Sequence, residues 1–179
     1  MVRTPTAVTA LSALLAGTLT AILTAAPAAA TPTTVLMDGM AGDNVFLNAV
    51  FTANRFALDP SGRLIVDGTL TGTITGPPGT LQKAVDQPIV LPIDRGASAA
   101  SCWTIDLAVG PADQRLAGFP FHLDRSNLHV GVNQGPGSRL RMPMCAFSRA
   151  LPDDGAGPAQ LTDPLNEVVA LRASVPATR

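Results

Sequence analysis

From Arg63 to Thr75 the chain alternates, with Leu64, Val66, Leu70 and Ile74 in one phase and Asp67, Thr69, Thr71, Thr73 and Thr75 in the other. A two-residue period belongs to a strand with one dry face and one wet face, so this region is committed to a half-buried β-strand. Gly68 and Gly72 fall on the apolar phase, which implies a bulge or the close approach of another backbone. A two-residue hairpin turn at Asp67-Gly68 is the rival reading. It ranks second because the alternation passes through the dipeptide without losing phase.

The neighbouring segments extend the β pattern. Asn44 to Leu58 is apolar and β-prone and reaches Arg63 through Asp59-Pro60-Ser61-Gly62, the composition of a type I turn, so the two segments are expected to pair as a hairpin. Gly76-Pro77-Pro78-Gly79 interrupts the chain before a third strand around Val85 to Ile93, with Ile89, Leu91 and Ile93 on one face. Pro88 and Pro92 are an even number of residues apart and remove N–H donors from the same side, which predicts a guarded sheet edge. A loop of small residues from Asp94 to Ser101 leads to a fourth strand, where Trp103, Ile105, Leu107 and Val109 alternate with Thr104, Asp106 and Ala108 until Gly110-Pro111. Between Phe119 and Asn133 the apolar phase flips, from Phe119, Phe121 and Leu123 to Leu128, Val130 and Val132. Either a turn or a bulge at Asp124 to Asn127 accounts for the flip.

Past Gly135-Pro136-Gly137 the period lengthens. Leu140, Met144, Phe147 and Leu151 make one helical stripe, with Pro143 in its first turn. A second helix is signalled by Asp163 as N-cap, Pro164 at the first position, Glu167 near the positive end and Arg172 near the negative end. Leu161, Leu165, Val168 and Val169 form its buried stripe. Strands first and helices last predict an α+β, mainly β domain: an antiparallel sheet, sandwich or partial barrel with two C-terminal helices covering one face or end.

The N-terminus reads as an address. Arg3 precedes a charge-free run from Ala7 to Ala26, and Ala28-Ala29-Ala30 supplies the small residues of a cleavage site. Residues 1–30 are therefore expected to be a signal peptide, and residues 31–179 a single β-rich domain of secreted, extracytoplasmic location with no membrane span after cleavage. One of the twelve basic residues and none of the thirteen acidic ones lies in the signal, so the remainder carries a charge near −2. With Lys83 as the only lysine, scattered arginines, no tyrosine and one tryptophan, the chain lacks the basic and aromatic footprint of a nucleic-acid binder. Cys102 and Cys145 are an even pair in an oxidising compartment, where a structural disulfide is the expectation.

Gly68-Thr69-Leu70-Thr71-Gly72-Thr73, Cys102, Asp106-Leu107, Gly110-Pro111, Leu116, Gly118, His122-Leu123-Asp124, Gly135-Pro136-Gly137 and Cys145 together make the second half of the chain similar to a family of small exported bacterial proteins. The resemblance implies the disulfide and the order of strands before helices, and it brings no catalytic residue. Gln114, Arg115 and Pro143 depart from the apolar positions of that pattern.

The sharpest chemical cluster is His122-Leu123-Asp124 with His129. If residues 124–127 form a four-residue hairpin loop, His122 lies across from His129 with Asp124 beside them, a two-His, one-carboxylate metal site. If a bulge replaces the turn, the histidines sit about 23 Å apart on a solvated face. No Gly-x-Ser-x-Gly elbow, phosphate loop, dinucleotide fingerprint or His-Glu-x-x-His run occurs. Ser101, Ser126 and Ser138 have turn compositions, and Asp153-Asp154-Gly155 lacks the further oxygen ligands of a calcium loop.

The chain is thus expected to be an exported, disulfide-closed, non-catalytic domain, structural or binding a small hydrophobic ligand or an envelope partner through its strand faces or helix-to-sheet crevice. No catalytic, cofactor or metal residue is assigned, and Cys102 and Cys145 are the only site. The alternative is a small extracellular metal-dependent enzyme using His122, Asp124 and His129.

Overall fold

A computed structural model describes residues 33–42, 44–77, 82–132 and 139–174. The expected signal peptide and the Gly135-Pro136-Gly137 turn lie outside the described residues. Strands β1 (Thr34–Ala41), β2 (Val45–Leu58), β3 (Leu64–Thr75) and β4 (Gln82–Ala100) form an antiparallel meander. They are followed by β5 (Thr104–Val109), β6 (Ala112–Leu116), β7 (Phe119–Leu123) and β8 (Ser126–Gly131), then by helices α1 (Arg141–Ala150) and α2 (Pro158–Ser174). This is the α+β, mainly β architecture the sequence predicts. No helix among the described residues is long and apolar enough to cross a membrane.

Period-two segments take their places as read. Leu64, Val66, Leu70 and Ile74 are buried on β3, and the Asp59–Gly62 turn joins β2 to β3. A Cβ on Gly68 would overlap the Phe51 ring and the Thr52 carbonyl, and one on Gly72 would overlap the Asn48 carbonyl. Both glycines therefore mark a close approach of β2, and a bulge between Ala53 and Arg55 stands beside Gly68 as well.

The sheet runs in the order β6-β7-β1-β2-β3-β4-β5-β8, and its two ends belong to one hairpin. Pairing extends from Leu116↔Phe119 to Ala112↔Leu123 and resumes from Val109↔Ser126 to Thr104↔Gly131 with no residue gained or lost. Burial nevertheless changes phase on both strands at once: Ile105, Leu107 and Val109 face the core on one, then Leu116; Phe121 and Leu123 on the other, then Leu128 and Val130. The exchange falls at Gly110-Pro111, a cis peptide with Gly110 at φ +79°, opposite Asp124-Arg125. Asp124–Asn127 is accordingly neither a hairpin turn nor a bulge. The strand keeps its register and turns over, so that one half of the hairpin pairs with β1 and the other with β4, curling the sheet into a half-barrel.

β4 is an edge over Gln82–Leu91, where its ladder is with β3 alone. The Pro92 carbonyl accepts from Gly110 N–H at 2.9 Å, so Pro92, and with it Pro88, presents its donorless nitrogen away from β3 as expected. Side chains bridge this seam to β6: Gln114 Nε2 donates to the Val90 carbonyl (3.1 Å), Gln87 Nε2 to the Arg115 carbonyl (3.2 Å) and Lys83 Nζ to the Ala117 carbonyl (3.3 Å).

Three expectations need correction. Asp94–Ser101 is not a loop; β4 runs to Ala100 through an irregularity between Asp94 and Ala99, where Ser98 Oγ donates to the Asp94 carbonyl and accepts from Ala108 N–H. Its hydroxyl replaces the missing ladder partner. Trp103, expected on the buried phase, precedes β5 and is 43% exposed, with Arg141 stacked 4.4 Å over its ring. The second helix starts five residues before Asp163, at Pro158. Gly157 N–H donates to Gln160 Oε1 (2.9 Å), satisfying a free donor at the helix start, and Pro164 is carried inside the helix while Leu161, Leu165 and Val168 are buried.

One core results. Phe51, Phe121, Met37, Leu70 and Leu107 fill the inside of the curl, and Met144, Phe147, Leu161, Leu165 and Val168 join them from the helices. α2 packs on β2, and α1 on α2, β4 and β5. The Cys102–Cys145 disulfide closes a separation of 43 residues and ties α1 to the entry of β5, as expected.

Candidate functional site

The turned-over hairpin decides what the histidines meet. His122 on β7 is opposite Asp113 on β6, and His129 on β8 is opposite Asp106 on β5. Directly opposed residues share a face, so each imidazole finds the carboxylate across its own ladder: His122 Nδ1 to Asp113 Oδ1 at 2.8 Å, and His129 Nδ1 to Asp106 Oδ1 at 2.5 Å. Both rings are exposed. Asp124 joins neither; its N–H donates to the Asp38 carbonyl at 3.1 Å. The proposed grouping of His122, Asp124 and His129 is not formed, because there is no hairpin between β7 and β8 to fold one histidine onto the other. No group of three or more His, Cys, Asp or Glu able to hold a metal occurs among the described residues. Each dyad fixes Nδ1 and so orients an imidazole at the surface.

The other distinctive surface is the outside of β1, β2 and β3. Register stacks its outward residues in rows: Leu36, Val50 and Thr71; Asp38, Asn48 and Thr73; Met40, Phe46 and Thr75. Leu36 is 72% exposed, Met40 50%, Phe46 51% and Val50 37%. Two apolar rows therefore flank a polar one, in which Asn48 Nδ2 approaches Asp38 Oδ1 at 3.5 Å. Single exposed apolar residues are ordinary, whereas cross-strand apolar pairs grouped on one face mark an interaction surface. His122 extends the Met40 row, and a groove of about 450 Å³ opens there between Met40, Arg115, Pro120 and His122.

This surface is not legible in the sequence pattern: no strand is signalled before Asn44, so the outward set Leu36, Asp38 and Met40 on β1 has no partner there. The signal was present on β2, where Phe46 and Val50 are apolar in the phase opposite to Leu47, Ala49 and Phe51.

Comparison with protein families, with curated proteins and with solved structures finds no match to this chain.

Proposed function

We propose that the chain is an exported, disulfide-closed domain that acts by binding, and that the outer face of β1 and β2 is the surface it binds with. The observation that carries this is the pair of exposed apolar rows, Leu36 with Val50 and Met40 with Phe46, on a domain whose interior is already filled. The helix-to-sheet crevice is occupied by Met144, Phe147 and Leu165, which leaves the strand face for a partner. Export is supported by the charge-free N-terminal run with its Ala-x-Ala end and by a disulfide suited to an oxidising compartment. The partner is an envelope component with an apolar contact surface of its own.

Site-specific photo-cross-linking in the producing cells tests the reading. A probe at Leu36 or Phe46 captures a defined species that a probe at Glu167 on α2 does not, and Leu36→Ser with Phe46→Ser abolishes its recovery without lowering the melting temperature. Equal capture from both faces, or undiminished recovery by the double variant, overturns it.

A further inference from the structure

The seam between β4 and β6 carries a second feature, remote in composition from the apolar rows. A groove of about 520 Å³ lies there, lined by Asn54, Asp67, Pro88, Val90 and Gln114 over the backbone of Gly68. Its position follows from the β2 bulge. Asn54 is the extra residue between the register pairs Ala53↔Gly68 and Arg55↔Asp67, which brings Asn54 and Arg55 outward in succession. Bulges re-aim side chains and recur beside functional sites.

The polar groups in this groove are neutral amides around one charge, the Asp67 carboxylate. The Val90 carbonyl can only accept, so Gln114 must present Nε2 to it, and Gln114 Oε1 is left as an acceptor. The half-buried Asp67 carboxylate has no hydrogen bond or ion pair with any described residue, although Arg55 stands directly across the ladder. The amides of Asn54, which donates Nδ2 to Thr69 Oγ1 at 3.2 Å, and of Gln114 bring donors as well as acceptors, so the groove's preference is set by the Asp67 carboxylate, the one charged group among its described lining residues, between the apolar walls of Pro88 and Val90, the latter 45% exposed. An anion would face an unpaired carboxylate, and a purely apolar molecule would leave it desolvated.

We propose that this groove binds an alkylammonium group, with the cation held by the Asp67 carboxylate and Gln114 Oε1 and its aliphatic stem laid along Pro88 and Val90. Charge-assisted hydrogen bonds supply the anchor, and the stem covers apolar surface in the manner of a lysine side chain. That chemistry is shared by a lysine of a partner protein and by a free aliphatic amine.

The test is a two-dimensional amide NMR titration of the folded domain with n-butylammonium, with a blocked glycyl-lysyl-glycine peptide, and with n-butyrate as the anion of matched stem. Saturable shifts at Asp67, Val90 and Gln114 with either cation in the millimolar range, and none with butyrate, support the proposal. Tighter binding of the peptide assigns the source to a protein lysine, and tighter binding of butylammonium to a free amine. Asp67→Asn keeps the shape and weakens binding about tenfold or more, whereas Arg55→Gln binds no more weakly than the wild type. Equal response to butyrate, absence of saturable shifts with both cations, unchanged binding by Asp67→Asn, or loss of binding in Arg55→Gln overturns it. Leu36→Ser with Phe46→Ser leaves these shifts in place, so failure here and failure of the apolar-face reading are separately visible.

Discussion

The Asn166 carboxamide on α2 pairs with both backbone groups of Phe56 on β2: Asn166 Oδ1 accepts from Phe56 N–H at 2.7 Å, and Asn166 Nδ2 donates to the Phe56 carbonyl at 3.0 Å. β1 pairs with β2 only over Val45–Thr52, so beyond the bulge the outer side of β2 has no strand beside it. A side-chain amide has the donor–acceptor spacing of a peptide group, and Asn166 completes one rung of the ladder in its place. The helix is thereby fixed in register with the sheet as well as packed on it.

Asn166→Ala is expected to destabilise the domain by about 2 kcal/mol, since Phe56 is buried and would lose partners for two backbone groups. Urea unfolding should show a lower midpoint with an unchanged slope. A midpoint equal to that of the wild type would mean that water or another side chain satisfies the rung.

The disulfide is expected to contribute about 4 kcal/mol on the chain-entropy account for a closed loop of 43 residues. Cys102→Ala should lower stability by that order and expose the Cys145 thiol to labelling. Two modified thiols per chain in denatured, unreduced, freshly purified protein would show that the bond does not form in the source compartment.

Legibility in the sequence tracked how local the determining interactions are. The β2–β3 hairpin, the proline-guarded edge and the buried stripe of α1 were written in turn chemistry and period, which act over a few residues. The run after Asp94 has the small-residue composition of a loop, while Ser98 repairs the ladder through a contact with Ala108 that no local pattern signals. Asp163-Pro164 gave a convincing helix start, yet Pro158 and the Gln160 cap begin the helix earlier and the buried face of α2 carries it through Pro164. The phase flip was visible at Asp124, but its meaning was not. It required the simultaneous flip at Gly110-Pro111 on the partner strand, which also assigned His122 to Asp113 and His129 to Asp106. The apolar rows depended on pairing β1 with β2 and were legible only once that register existed.

Asp59 should titrate below the usual carboxylate range. Its Oδ1 accepts from the Ser61 hydroxyl and from the Ser61 and Arg63 amides, while Oδ2 meets Arg63 Nε at 2.7 Å; the Ser61 hydroxyl is the largest cause of the lowering. A carboxyl whose folded value is depressed contributes stability above its unfolded value and loses it as pH falls through the folded one. The β2–β3 turn is therefore expected to survive mild acid and to weaken only in strong acid. Carbon-detected NMR of the Asp59 carboxyl should place its midpoint below those of the exposed aspartates, and a midpoint among theirs would contradict the hydrogen-bonded turn.

The histidines offer the last prediction. Because His122 and His129 bond to different carboxylates on different strand pairs, they are expected to behave as independent surface residues. Exposed ion pairs and surface substitutions each change stability by about 0.5 kcal/mol or less, and sites without shared partners add to within about 0.5 kcal/mol. His122→Ala, His129→Ala and the double variant should accordingly show small, additive shifts in urea midpoint, and His129→Ala, on β8 outside the Met40 row, should leave photo-cross-linking from Leu36 unchanged. Zinc titration followed by histidine NMR should give no binding at micromolar concentration in wild type or variants. Micromolar binding that either single substitution abolishes would require the two rings to share an ion, and would mean that β7 and β8 fold onto each other rather than running through Asp124-Arg125 as one turned-over strand.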